Sequence, residues 1–397
     1  SALVGPLGDV PDYHGYGYDL GSQRTQQVFT AANYVNYSYD NIGQLQAAKV
    51  YEADQTPRPQ ERFGYGYDAA WNLNWRTNHA LVLSFGVNNL NELTSVSRAA
   101  NSVITVAGAT SLQATNVTVN GEPAQIYSDN TFVRETNSLA DGTNTFVAQA
   151  TNAQGSNASA SVSVNLPLSV TCTYDVRGNL VSDGRRSFEY DHENQLKQVA
   201  VANAWKSEFE HDGLLRRRVR REYTWSGGDW VQTNEVRYIY DGRLVIQERD
   251  SNNVPRVAYT RGLDLGGGLE EAGGIGGLLA RTDIPRALAG DASAFAFYHY
   301  DGNGNVTCMV DRGGNVVARY AYDPFGNILA MSGTLAEANL YRFSSKEYHP
   351  NSGLVYYLYR YYEPNLQRWM NRDPLEERGG INLYAFVENS PEQLVDY

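Results

Sequence analysis

At 397 residues, 42% of them hydrophobic and 19% charged, the chain has the balance of a globular protein, which excludes wholesale disorder. A net charge of -12 argues against general affinity for nucleic acid, which needs clustered cations. No apolar run approaches the roughly 20 residues that cross a bilayer, and Cys172 and Cys308, without a C-x-x-C pair, support neither a zinc ribbon nor a disulfide scaffold and leave room for at most one bridge.

The opening "SALVGPLGDV" lacks a basic region and a long apolar stretch, so no signal peptide is expected; that abrupt start and the end at "LVDY" suggest a piece of a longer chain. Tyrosine is the outlier of the composition, with 29 Tyr against 12 Phe, and 37 Gly accompany it, mostly beside Asn or Asp. Variants of Tyr-Asp-x-x-Gly-x-Leu recur in chain order at Tyr18, Tyr39, Tyr67, Tyr174, Tyr190, Tyr240, Tyr300 and Tyr322. Each Asp is followed by turn formers and then by an alternating run such as "NVVARYAY", which has the period of a strand. Every unit therefore reads as strand, turn, strand, with Asp capping the turn, Gly or Asn supplying positive φ, and Tyr stacking on its neighbour. A lone hairpin is marginal, so the units must pair edge to edge in an antiparallel sheet that curls, packs or closes; the fold class is all-β.

This texture divides the chain into four segments. Residues 1–97 are repeat strands. Residues 98–168 hold one Tyr, Tyr127, and alternating runs such as "NSVITVAG" and "ASVSVNL", which predict an inserted β-sandwich of immunoglobulin character that decorates or binds. Residues 169–338 resume the repeats. Within them "LLRRRVRREY" is the single basic run, read as a sheet rim or a contact for an acidic cargo. "GGGLEEAGGIGGLLAR" lacks the Gly-Lys-Ser/Thr ending of a phosphate loop, so its glycines predict a tight bend. Residues 339–397 are punctuated by Pro350, Pro364, Pro374 and Pro391 and carry a tyrosine band at 356, 357, 359, 361 and 362, for which packing between strands outweighs sugar stacking.

The tail "GLVYYLYRYYEPNLQRW", "NRDP", "GGINLYAFVENSP" and the final "VD" resemble the RHS-associated core domain, and "RGLDLGGGLEEAGGIGGLLAR" resembles a segment upstream of it. With the repeats, the chain is similar to the RHS or YD-repeat family, which includes toxin-complex B and C subunits and teneurin shells. The resemblance implies an antiparallel sheet of YD hairpins spiralled into part of a hollow shell, a cocoon, with the core domain as its plug and a variable effector after it. It also implies cleavage of the chain by its own aspartates at a D-P-x-G-L-like motif. Asp396 matches the motif's Asp, with Tyr397 where Pro is usual. Asp373 matches a second family acid, Arg372 would hold that acid or the developing oxyanion, and His349 stands where many members carry a further Asp.

The residues allow blander roles, Asp373 as the turn opener before Pro374 and Asp396 as a turn cap. His14, His79, His192, His211, His299 and His349 never pair at metal-ligand spacing, so no metal and no cofactor are expected. The expected partners are an enclosed C-terminal effector, the rest of a shell and a secretion apparatus, with no nucleic acid. The leading function is the structural shell of an RHS-type toxin, secreted or on the bacterial surface, at most self-cleaving once. The alternative is a surface adhesin or cell-wall-associated binding protein that recognises its ligand through the inserted sandwich.

Overall fold

The computed structural model describes residues 2–3, 12–110 and 112–396. They are strands and turns, and the single α-helix among them, Ile284–Leu288, is five residues long. Two compact units form, one from Ser1–Thr30 with Cys172–Tyr397 and the other from Ala31–Thr171. The expected all-β, antiparallel architecture with an inserted sandwich is what the chain adopts.

In the first unit fourteen strands, from Thr173–Tyr174 to Ile328–Ser332, pair strictly in chain order. The YD turn explains why. In "YDPFGN" the Asp323 Oδ1 accepts the amides of Phe325 at 3.0 Å and Asn327 at 2.9 Å, while the Asp323 amide donates to the Asn327 carbonyl at 2.9 Å. This geometry forces positive φ on the residue three after the Asp, here Gly326 at 91°. The same pair of amide contacts recurs at Asp175, Asp191, Asp212, Asp250, Asp301 and Asp311.

Each of these hairpins shifts register at the residue before its Asp, as between Ala321 and Tyr322 and between His299 and Tyr300. Such irregularities bend a strand and tighten its twist, so their repetition turns a ribbon of hairpins into a curling sheet. The motif tyrosine does more than stack. Tyr322 Oη donates to the Val306 carbonyl at 2.8 Å and Tyr240 Oη to that of Arg217 at 2.9 Å, each reaching the neighbouring hairpin. A Phe would stack equally well and lose this link.

The second unit contains seven strands of the same kind, Tyr34–Tyr39 through Leu93–Ser97 and then Ser169–Thr171. Ser97 pairs with Ser169 and Ser95 with Thr171, so the chain leaves the sheet after Ser97 and rejoins its own last strand. Between them lie seven strands in two sheets, Val103–Ala109, Thr131–Ser138 and Gln125–Ile126 in one, and Glu122–Pro123, Ala114–Val119, Thr143–Asn152 and Asn157–Asn165 in the other. Val117, Val119, Phe132 and Phe146 fill the space between them. The second strand differs in place from the constant-type immunoglobulin arrangement, where it joins the first, fifth and fourth. Here Asn120 and Gly121, both at positive φ, make a two-residue turn that keeps Ala114–Val119 on Glu122–Pro123, in the sheet of the third, sixth and seventh.

Cys172 and Cys308 are both free and buried, so the bridge left open by the sequence does not form, and burial pushes each thiol up to about 11.

Candidate functional site

Connections in an antiparallel meander alternate between two edges. The turns opened by Asp175, Asp191, Asp212, Asp301 and Asp323 all fall on one edge, because an odd number of connections separates each from the next. The tail is stitched to four of them. The Leu180 amide donates to the Met370 carbonyl at 2.9 Å and Tyr384 Oη to the Gly178 carbonyl at 2.8 Å. Asn371 reaches the Asn194 carbonyl at 3.2 Å, and Ser345 Oγ the Gly304 carbonyl at 2.6 Å. Tyr362 Oη donates to the Phe325 carbonyl at 2.9 Å, and Asn327 to that of Pro364 at 3.1 Å. Behind these bonds Tyr362, Trp369 and Phe386 are buried together, Tyr362 stacking on Phe386 at 3.9 Å between centroids. The tyrosine band is packing, and only Tyr359 of its five is exposed.

The basic run is neither a rim nor an open cargo surface. A register shift between Glu210 and His211 puts Arg217 and Arg220 of the strand Arg217–Ser226 on the same, inner face, with 0% and 5% exposure. Arg217 Nη2 and Arg220 Nη1 both donate to Glu347 of the tail, the latter at 2.6 Å, and Tyr238 Oη adds a contact at 2.8 Å. Arg217 also donates to Tyr361 Oη at 3.1 Å. Arg216 and Arg218 pair with Asp212 and Arg221 with Glu210 and Glu235, while the acid that meets Arg217 and Arg220 belongs to the chain's own tail. Beside it His349, 1% exposed, holds Glu222 Oε1 at 3.0 Å and Ser352 Oγ at 2.7 Å, and burial pushes its imidazole below the ordinary range although Glu222 pulls the other way.

The two candidate acids converge on a residue that the sequence did not single out. Arg360 forms ion pairs with Asp373 at 2.8 Å and Asp396 at 3.4 Å while its guanidinium lies 4.0 Å over the Trp369 ring. Asp373 Oδ1 also accepts the Leu375 amide at 2.7 Å, so it is a turn opener and an ion-pair partner at once. Arg372 is directed elsewhere, its Nε 3.3 Å from Tyr384 Oη, because adjacent residues on an extended backbone face opposite ways. Nearby, Lys346 donates to the Gly273 carbonyl at 2.7 Å, and burial, with Arg261, lowers its ammonium to about 8 despite the field of Asp396. Tyr397 lies outside the described residues. A carboxylate fixed on a cation, with a lysine of lowered pKa close by, supplies a proton acceptor and a positive field for an anionic intermediate. Only the sequence spacing of 360, 373 and 396 was available beforehand, and it carries no signal.

The glycine-rich segment binds its own acid. Asp264 Oδ2 takes the amides of Ala272 at 2.7 Å and Gly274 at 3.0 Å, filling the place an anion would occupy. The histidines, isolated in sequence, are not all isolated in space, for His14 and His299 meet on Asp12.

Residues 169–391 match the family model described as the teneurin YD-shell. That is more than half of the chain, which therefore belongs to the YD-shell family. Among curated relatives it is 29% identical over 233 residues to the tRNA3(Ser)-specific nuclease WapA of Bacillus spizizenii, a match covering 56% of this chain and 9% of that protein. It is 25% identical over 228 residues to double-stranded DNA deaminase toxin A of Burkholderia cenocepacia, covering 54% and 16%, and 31% identical over 189 residues to toxin subunit YenC2 of Yersinia entomophaga, covering 40% and 19%. The matched region thus spans less than a fifth of these relatives. Among solved structures the Photorhabdus luminescens Tc holotoxin pore aligns over 98% of this chain and 19% of that one, with a TM-score of 0.46 and 17% identity. No helix among the described residues is long and apolar enough to cross a membrane.

Proposed function

We propose that this chain is wall and plug of a secreted RHS-type toxin shell, that it encloses an effector segment lying beyond residue 397, and that it frees that segment by one self-cleavage. The observation that carries the reading is the tail fastened across four YD turns of one edge, which is how the open end of a curled sheet is closed. A sheet whose edges are covered resists proteases, and a shell completed by further strands would keep an enclosed chain from its targets. In the cleavage step a water attacks the scissile carbonyl as Asp373 takes its proton, and the tetrahedral intermediate then breaks its C–N bond as Asp373 returns that proton to the departing amine; Arg360 orients the carboxylates of Asp373 and Asp396. Arg372 acts through Tyr384 as a positioning residue. The rest of the shell, a secretion apparatus and the enclosed segment are the partners this reading requires.

The test uses the parent protein continued past residue 397. Intact mass of the purified product should show two fragments, and Asp373→Asn, shown to be folded by circular dichroism, should give one uncut chain. Cleavage that persists in Asp373→Asn removes the catalytic assignment. An effector segment digested as fast as a free peptide by added protease removes the enclosure.

A further inference from the structure

The strand Asp12–Tyr18 places Asp12 and His14 two residues apart and hence on one face, and that face meets the strands Phe295–Tyr300 and Val306–Asp311. There Asp12 Oδ2 lies 2.6 Å from His299 Nδ1, 3.3 Å from His14 Nε2 and 2.6 Å from Thr307 Oγ1. Asp12 and His14 are each 5% exposed, and one donor atom from each of Asp12, His14 and His299 falls within 4.8 Å of the others.

From this geometry we infer a divalent transition-metal site of the zinc class, with His14 Nε2, His299 Nδ1 and Asp12 Oδ2 as ligands and a fourth position for water. Two imidazoles and a carboxylate are the donor set that suits zinc, cobalt and nickel, and bonds of about 2.0–2.2 Å set tetrahedral ligand atoms roughly 3.4 Å apart. The His14 to Asp12 pair already has that spacing, and the His299 to Asp12 pair needs to open by less than about 1 Å.

The surroundings are those of a ligand set held from behind. Gln27 Nε2 stands 3.0 Å from His14 Nδ1, the nitrogen that would not bind the ion, and Gln27 is itself buried. With its amide turned about, Gln27 accepts the Nδ1 proton and so frees Nε2 as a ligand. Thr307 Oγ1 donates to the same Oδ2 and lies 3.3 Å from His14 Nε2, fixing the carboxylate, while Arg319 approaches the other oxygen, Oδ1, at 3.8 Å. An ion here clips the hairpin of residues 12–29 to strands almost 300 residues later.

The experiment is a titration of the chelator-treated 397-residue chain with zinc chloride and with cobalt chloride. One equivalent should bind, cobalt should show the visible bands of a low-coordinate site, and zinc should raise the melting temperature. His299→Asn should weaken zinc at least 100-fold, and Gln27→Ala by about 10–100-fold. Circular dichroism checks that His299→Asn folds; if it does not, the cobalt spectrum of the parent chain and the Gln27→Ala affinity decide. Absence of uptake at micromolar zinc, octahedral cobalt bands, or an affinity untouched by Gln27→Ala and by a folded His299→Asn each overturns the site.

Discussion

Arg217 stands where the repeat elsewhere carries Leu180 or Leu196, five residues after the turn Asp, and like those leucines it is buried. A leucine there would need no partner. The arginine needs Glu347, and Glu347 in turn holds Arg220 and Tyr238, so wall and tail share one buried charge cluster. Removing one member of such a cluster leaves the other charges without compensation. Glu347→Gln should therefore cost about 3–5 kcal/mol, read as a shift of the denaturant midpoint, whereas Arg217→Leu combined with Glu347→Leu should recover most of the loss, because Arg220 keeps Glu222 at 3.2 Å. Histidines at this wall set the acid limit. Burial, with the nearby charge of Arg217, lowers His211 to about 4, and burial lowers His349 as well. Unfolded histidines take up protons near 6.5 while these two resist, so the unfolded state binds more protons and stability is full above about 6.5 and falls as the pH drops toward 4. Melting temperatures recorded across that window should decline in the parent chain and decline less steeply in His211→Gln, where His349 alone of the two remains.

At the scale of the element, the YD hairpin was legible because every contact that makes it is local: the Asp, the two amides and the positive φ lie within five residues. Gly326 adds a constraint, since a Cβ there would sit 2.6 Å from the Phe343 ring of the tail. Gly326→Ala should destabilise by more than the roughly 1 kcal/mol of a simple glycine-to-alanine conflict at positive φ, and Gly155→Ala, with nothing within 4 Å of the new carbon, should cost less. Thermal unfolding of the two variants separates backbone strain from the clash with the tail. Tyr322→Phe tests the hydroxyl link and should cost about 1 kcal/mol, since the Val306 carbonyl loses its donor. What the sequence did not convey lies between elements. No periodicity tells that Arg360 collects Asp373 and Asp396, or that His14 meets His299, because those pairings depend on how the sheet curls. The same holds for the phase of the arginines, which alternation alone would split differently and a single register shift realigns.

For the molecule as a whole, the question is whether the tail is a lid that comes away or a part of the wall. The tail shares part of the wall's hydrophobic core: Tyr341 packs with Tyr238, Tyr259 and Leu278 in one cluster, while a second, of Ala296, Val306, Met309, Ala318 and Tyr320, is built by the wall alone, and the Arg217 amide itself donates to Tyr356 Oη at 2.9 Å. Opening the tail would strand Arg217 and expose Trp369 and Phe386, a cost comparable to unfolding the strands beneath. The two should then exchange their amide hydrogens as one cooperative unit. Hydrogen exchange read by mass spectrometry is expected to give matching protection for peptides from Arg217–Ser226 and from 354–371, with both collapsing together in Glu347→Gln. Tail peptides that exchange orders of magnitude faster than that strand would mean a separable lid. A plug welded into the wall in this way stays in place when a bond beyond it is cut, so cleavage would free the downstream segment without opening the end through which the tail enters.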